Sequence, residues 1–394
     1  MSVSAPTMGV VCDIKGGLVD RSLSVLVGNG LSIAYNPGLR LDAITKHFLQ
    51  NLESESFDGS EVVNAMRKVA RHAFPDGPDE QHDFELLVGA FENSSLYFKE
   101  LSILAENMDS DAESTLAALD RLALFAQTVR NSATSRILEV IMQNSRARRS
   151  EENVISNFAD AICGSFNGKI TFGNLNYDSL LAAALVDRYQ GELTDMADGR
   201  QGARIKVSNS KSTGEASRLR ESESDFQDSR LLLLHLHGSL TFWAGEKYRV
   251  KIPVSLLTDL DQWSSIRTGK ARAYPLVALT GPSEKSNTVE KFPFNLAYRM
   301  FRASLQTSDK WLIAGYSFRD RSVNKMLSEE FWRGAARPKI LVIDKDNSLL
   351  LTTIYEAFDW NVVEHGDPSA WLSICRSGME EFRSSKVWST FVSS

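Results

Sequence analysis

His237 and Asn176 are the two side chains in this sequence best suited to chemistry on a bound small molecule. His237 follows the apolar run Leu231–Leu236 and precedes Gly238. An imidazole at a strand end can act as a general base near neutral pH, although a lone histidine beside apolar residues also serves as a hydrogen-bonded core residue. His235 alternates with it, so a regular strand would point both rings to one face. An H-x-H pair invites a metal, but a metal site needs three or more ligands, and the sequence offers no convincing third; the expected metal is none.

Asn176 lies in Gly173-Asn174-Leu175-Asn176-Tyr177-Asp178, just past the apolar run 169–172. Its amide does not titrate, so it can bond a ribose hydroxyl or hold a water without competing for protons. Asp178 opens an apolar helix, Leu180 to Val186, and reads equally as a helix cap. Leu23–Val27 ends in Gly28-Asn29-Gly30, with Ser32 just beyond. Two glycines there fit a turn whose N–H groups face a phosphate, or a tight turn with no ligand. Trp311–Ala314 enters Gly315-Tyr316-Ser317, which could cradle phosphate or ribose. Lys339–Ile343 ends at Asp344, where a carboxylate would bond a ribose hydroxyl.

These groups share one placement: each follows an apolar run of four to six residues that then feeds a helix. Such βα units build a mostly parallel sheet with helices on both faces, a Rossmann-like α/β fold whose crevice lies at the carboxyl ends of the strands. Between the first strand and residue 167 the period becomes helical, as in Leu41, Ile44, Phe48 and Leu52. Five or six helices are expected there, with Pro75-Asp76-Gly77-Pro78 as a breaker. The expected organisation is therefore 1–40 as first strand and glycine loop, 41–166 as a helical insertion, and 167–365 as the remainder of the α/β domain. Within it, 195–229 is rich in Gly, Ser and charge and reads as a solvated loop. Residues 240–275 are mixed, a strand is expected at Leu276–Thr280 before Gly281-Pro282, and 366–394 is expected to form a last helix and coil.

With 394 residues and a net charge of −6, the chain has no general affinity for nucleic acid, although Arg146-Ala147-Arg148-Arg149 is a local basic run. Three cysteines, Cys12, Cys163 and Cys375, form no CxxC pair. That spacing disfavours a structural zinc ribbon and a disulfide framework. No apolar run approaches a membrane span, and the first residues lack the charged-then-apolar order of a secretory signal. The expectation is a cytoplasmic protein.

Taken in order, these motifs resemble the sirtuin (SIR2) superfamily, in particular the bacterial SIR2-like proteins of anti-phage defence. Gly28-Asn29-Gly30-Leu31-Ser32 is similar to that family's GAGxS phosphate loop, with Asn29 in place of alanine. Asn36-Pro37-Gly38-Leu39-Arg40 falls at its substrate-covering segment, matching Pro37 and Arg40. Leu175-Asn176-Tyr177-Asp178 resembles the Q-N-I-D motif in the T-x-N-Y-D form of the defence branch. By this resemblance Asn176 would contact the nicotinamide ribose and position the attacking water, Asp178 would hold nicotinamide, and His237-Gly238 would supply the general base. Gly315-Tyr316-Ser317 looks like the G-T-S loop, and Asp344 falls at the adenosine-ribose position. The resemblance covers 23–40 and 169–365.

It implies NAD as substrate, cleaved to nicotinamide and ADP-ribose, with NAD-contacting groups at Gly28, Asn29, Gly30, Ser32, Arg40, Asp178, Gly315, Ser317 and Asp344. The four-cysteine zinc module of protein deacylases is missing, so neither structural zinc nor deacylation is expected. Toxic NAD depletion implies regulation through a homo-oligomer or a partner, of which a HerA-like ATPase, a short Argonaute and a nucleotide-sensing protein are the family's examples. Two other classes remain open from the residues: a non-catalytic NAD or ADP-ribose sensor, and a metal phosphoesterase. The second lacks the Asp-x-His expected on a first strand.

Overall fold

The computed structural model describes residues 22–55, 59–73, 83–89, 91, 94–108, 113–146, 153–197, 205–208, 213–226, 228–259, 262–279, 288–345 and 351–394. Cys12, the Pro75–Pro78 breaker, residues 147–149 of the basic run, Gly281-Pro282 and Asp346 lie outside the described residues.

Seven short strands make the central sheet: β1 (Leu23–Val27), β2 (Ile170–Asn174), β3 (Leu193–Asp195), β6 (Leu231–His235), β10 (Lys310–Ala314), β11 (Lys339–Ile343) and β12 (Leu372–Cys375). All pair in parallel, in the order β12-β11-β10-β1-β2-β6-β3. Leu23, Val25 and Val27 face one core, which holds α7 (Val154–Ser165), α8 (Leu180–Tyr189) and the last helix, α14 (Lys386–Ser393). Leu26 faces the other, built on α11 (Phe294–Thr307), α12 (Arg321–Arg333) and α13 (Leu351–Ala357). Both faces are covered, which is why the strands read as unbroken apolar runs rather than alternating ones. Fully buried side chains such as Phe172, Phe301 and Phe331 each contribute about 1.5–3 kcal/mol by leaving water.

From β1 the chain adds β2, lays β3 at the edge and fills the place between them with β6, then crosses back to put β10, β11 and β12 on the other side of β1. The helix after β1, α1 (Asn29–Tyr35), buries Leu31 in the first core, whereas α12, after β10, packs in the second. A doubly wound sheet binds its ligand at such a switch point, here between the carboxyl ends of β1 and β10.

Among the described residues, six helices follow α1 before β2: α2 (Leu41–Glu55), α3 (Gly59–Ala73), α4 (Phe84–Gly89), α5 (Ser94–Met108), α6 (Glu113–Arg146) and α7. They do not stand apart. Phe48, Phe84 and Leu138 share a third core with Trp243, Val250 and Trp263. Trp263 lies on α10 (Gln262–Arg267), which follows α9 (Val254–Asp259). Trp243 and Val250 belong to a second, antiparallel sheet of β4 (Ile205–Ser208), β5 (Thr213–Arg218), β7 (Gly238–Gly245), β8 (Arg249–Lys251) and β9 (Ala273–Val277), in the order β4-β5-β8-β7-β9.

That second sheet is where the structure departs from the sequence pattern. Part of the expected loop 195–229 is strand: an antiparallel ribbon can leave one face to water, and in β5 the buried Ala216 sits between the exposed Glu215 and the half-buried Ser217. The strand expected at 276–280 is β9, at 273–277, and it pairs with β7 rather than joining the parallel sheet. A short apolar run carries no label for its sheet. The tail contains α14, and Leu372–Cys375 adds an edge strand where coil was expected. Lys310 secures that tail by donating to the carbonyl of Phe391 at 2.6 Å. No described helix is long and apolar enough to cross a membrane.

Candidate active site

All strands of the central sheet run the same way, so Gly28, Asn176, His237, Gly315 and Asp344 come to one edge. The glycines are fixed by backbone proximity. Gly28 N–H continues the ladder to Ala314 O at 2.9 Å, and Gly30 N–H donates to Gly315 O at 2.8 Å. A Cβ on Gly28 would lie 2.5 Å from Gly315 O, and one on Gly30 would lie 2.6 Å from Gly315 Cα. Gly315 also has φ +61°, which disfavours any side chain. The two loops at the switch point therefore touch, and Gly30's amide is already bonded within the protein. Asn29 has a clear role: its Nδ2 donates to Leu39 O at 2.9 Å, tying the glycine loop to the 3-10 turn Pro37–Leu39. Asn36 donates from Nδ2 to Asn144 O of α6 at 2.7 Å, and Asn144 returns a bond to Gly38 O at 3.1 Å.

Next to the loop lies a buried relay. Asn176 Nδ2 donates to Gly28 O at 3.1 Å and to Ser32 Oγ at 2.9 Å; Ser32 Oγ donates to Asp178 Oδ2 at 2.6 Å. The directions are forced. Both protons of the Asn176 amide are engaged, so Oδ1 is the atom that can accept a bond from a water or a hydroxyl. Asp178 Oδ1 takes Leu180 N–H at 3.0 Å, as a helix-opening carboxylate should. Burial raises the Asp178 carboxyl above its usual range, against the lowering effect of Ser32 and the Leu180 amide. Asp178 thus supports the turn into α8, whose N-cap position is Ser179, and anchors the relay.

His237 stands where the two sheets meet. β6 ends at His235, and Gly238, with φ +80°, starts β7 in the second sheet. Only glycine fits the corner, because a Cβ would lie 2.0 Å from Leu276 O. The regular alternation expected of His235 and His237 stops at this turn. His235 is a core residue: its Nδ1 is 3.5 Å from Asn174 Nδ2, and its ring packs edge-on against Phe242. Burial first, then the charge of Lys251, push its pKa down to about 4. His237 Nε2 lies 3.1 Å from Asp320 Oδ2 and 3.3 Å from the hydroxyl of Tyr298. Its ring is 6.4 Å from that of Tyr177, whose hydroxyl lies 2.8 Å from Glu85 Oε1 on α4. The helical block therefore reaches the site directly.

Three of the sequence-derived site residues lie outside these networks. Arg40 is exposed and pairs with Asp42 at 3.1 Å. Ser317 is exposed. Asp344 pairs with Arg376 at 3.0 Å, one strand beyond the switch point. Asp320 and Tyr298 carried no signal of a site in the sequence. Asp320 reads only as the cap before α12, and Tyr298 as one aromatic of an amphipathic helix. Among the described residues, no group of three or more His, Cys, Asp or Glu side chains could hold a metal ion.

Residues 171–357 match a family model described as the SIR2-like domain. Over those residues the chain is similar to a SIR2-like domain. That family comprises NAD-consuming enzymes, so the domain implies an NAD ligand and NAD-related activity. The matched stretch starts within β2 and ends with α13, taking in Asn176, Asp178, His237, Gly315 and Asp344. The glycine loop 28–32 and the helical block lie before it. No curated protein matches the chain.

Proposed function

We propose that this chain is an NAD+ hydrolase that cleaves the nicotinamide–ribose bond to give nicotinamide and ADP-ribose, held in check in the cytoplasm until an anti-phage response activates it. The observation that carries this reading is the relay from Asn176 through Ser32 to Asp178, which joins the ends of β1 and β2 beside the switch point, with Asn176 and Asp178 inside the stretch that matches the SIR2-like domain. Asn176 Oδ1 accepts a hydrogen bond from the attacking water or from a ribose hydroxyl, and its position is fixed by both N–H donors of the same amide. The glycosidic bond breaks with its electron pair going to the pyridinium nitrogen, which leaves nicotinamide neutral and positive charge on the ribose. Water adds to that carbon and gives up a proton, for which His237 is the base. The Gly28–Ser32 loop, with Gly315 and Ser317, would lie along the diphosphate, and Asp344 and Arg40 at its two ends.

Incubating the purified chain with NAD and resolving products by chromatography tests this. Release of nicotinamide and ADP-ribose in equal amounts is expected, and its loss in His237→Ala. The defence role rests on the large helical block and on the lack of the deacylase cysteines. Glu85 beside Tyr177 supports control of the site by that block.

A homo-oligomer is part of the proposal. Tyr97, Leu101 and Leu104 on α5 and Leu122, Leu124 and Phe125 on α6 are each 46–67% exposed. Together they offer several hundred Å² of apolar surface per chain, the scale of one side of a dimer interface, and a second copy of the same hairpin would cover it.

A second reading has its own support. Gly30 N–H and both protons of the Asn176 amide are bonded within the protein, and His237 is 4% exposed. A packed site of that kind suits a sensor that binds NAD or ADP-ribose without turnover. Calorimetry showing saturable NAD binding with no nicotinamide released would favour it.

A further inference from the structure

Asp320 is the N-cap of α12. Its Oδ1 accepts from Ser322 N–H at 2.8 Å and from Val323 N–H at 3.1 Å. Its other oxygen, Oδ2, lies 3.1 Å from His237 Nε2, and both side chains are 5–6% exposed. A helix cap needs one oxygen, so the second is available for another task. A bare nitrogen lone pair facing a carboxylate at that distance would be repulsive, whereas an N–H there is attractive. Tyr298 is the competing partner: burial, then the charge of Asp320, keep it a neutral phenol, whose oxygen can share the Nε2–H or whose O–H can donate to a bare Nε2, but it lies farther from Nε2, at 3.3 Å against 3.1 Å for Asp320. Tyr316 helps hold the loop, its hydroxyl lying 3.1 Å from Asp320 O and 2.7 Å from Asn324 Oδ1.

We propose that Asp320 is a positioning residue that takes the Nε2–H of His237, fixes that tautomer, and so makes Nδ1 the nitrogen that exchanges protons at the active site. This rests on the reading of His237 as the base of NAD hydrolysis. Geometry assigns the partner and the nitrogen. When His237 takes up a proton at Nδ1 the ring becomes an imidazolium, and the Asp320 carboxylate beside it stabilises that charge. The role therefore has two parts, tautomer before the step and charge after it.

Asp320→Asn separates these parts from folding. Asparagine caps a helix as well as aspartate, and its Oδ1 can keep the bonds to Ser322 and Val323. Its amide then offers a donor to Nε2, which inverts the tautomer of His237. Asp320→Ser keeps a capping oxygen and removes the group facing the ring. The full chain, labelled with 15N-histidine and assigned with His237→Gln, reports each ring nitrogen directly. In the unsubstituted protein at pH 8, Nε2 is expected to carry the proton and Nδ1 to be bare. Asp320→Asn should exchange the two signals and lower nicotinamide release roughly 100-fold or more, with KM for NAD within about threefold. Asp320→Ser should lose the strong preference for one tautomer.

The proposal is overturned if Nδ1 carries the proton in the unsubstituted protein, if Asp320→Asn leaves the signals in place, or if that variant, folded, turns NAD over at the full rate. An unsubstituted protein that shows the tautomer and its exchange but no NAD turnover keeps Asp320 as the group that orients His237 and sinks the hydrolase reading instead.

Discussion

Gly30 and Gly315 meet backbone to backbone: Gly30 N–H donates to Gly315 O at 2.8 Å, and a Cβ on either residue would come within 2.6 Å of the other's Cα. This contact joins the loops after β1 and β10 at the switch point of the sheet. Gly315→Ala adds a left-handed φ penalty to the steric one and should cost about 2 kcal/mol or more in urea unfolding, and weaken NAD binding. Gly164→Ala is the control. Gly164 lies inside α7 with nothing within 4 Å of its missing Cβ, so the change should be neutral or stabilising by up to about 1 kcal/mol. Equal effects of the two would contradict the close approach.

Asn176→Ala removes the amide that bridges Gly28 O and Ser32 Oγ. Two buried acceptors lose a donor, so stability should drop by about 1–3 kcal/mol. Nicotinamide release should fall roughly 100-fold or more. Thermal unfolding and product chromatography on the same preparation separate the two losses. Unchanged turnover by a folded variant would remove Asn176 from the mechanism.

Stability should depend on pH through His235. Its pKa is about 4 in the folded protein against 6.5 ordinarily, so between those values the unfolded chain binds a proton that the folded one does not. Stability is therefore full above about 6.5 and declines as pH falls towards 4, by about 3 kcal/mol in all. Asp178 has the opposite sign: its raised pKa makes the fold hold a proton longer, so its share of stability declines as pH rises above 3.8. Comparing denaturation of the parent and His235→Gln between pH 4 and 7 isolates the histidine. Parallel curves would show that His235 does not titrate on unfolding.

Asn144 couples the helical block to the segment that follows the glycine loop. Asn144→Ala removes the bond to Gly38 O, and should cost about 0.5–1.5 kcal/mol. It should also speed hydrogen exchange at Leu39 N–H, which bonds to Asn36 O. Exchange at β11 should not change. A uniform effect on both would mean that global stability alone had been altered.

The exposed band on α5 and α6 sets up a test of assembly. Leu101→Glu with Leu124→Glu should shift the mass measured by light scattering from a multiple of the chain to one chain, without loss of helicity. A parent protein that is monomeric at tens of micromolar would rule out this surface as a self-association site.

Much of the layout was legible because its signals are local. The runs at 23–27, 231–235, 311–314 and 339–343 are largely apolar because both faces of the sheet are buried, with Ser24, His235 and Lys339 as exceptions; three of them lead into helices, and the run at 231–235 turns at Gly238 into β7. The second sheet was not legible. β4 with β5 and β7 with β8 are local hairpins, but the pairings that make them one sheet, β5 with β8 and β7 with β9, join segments apart in the chain, and a short strand run carries no label for its sheet.

The site divides along the same line. By itself the sequence determined which residues stand at strand ends, since chain direction and period are written in neighbouring residues: Gly28, Asn176, His237, Gly315 and Asp344. Only the tertiary structure decided which of them meet. Ser32 reaches Asp178 across 146 positions, and Asp320 reaches His237 from the far side of the switch point. Arg40 and Asp344 instead pair with Asp42 and Arg376. Hydrogen bonds form over about 3 Å whatever the separation along the chain, so partners brought together by strand order leave no periodic trace in the sequence.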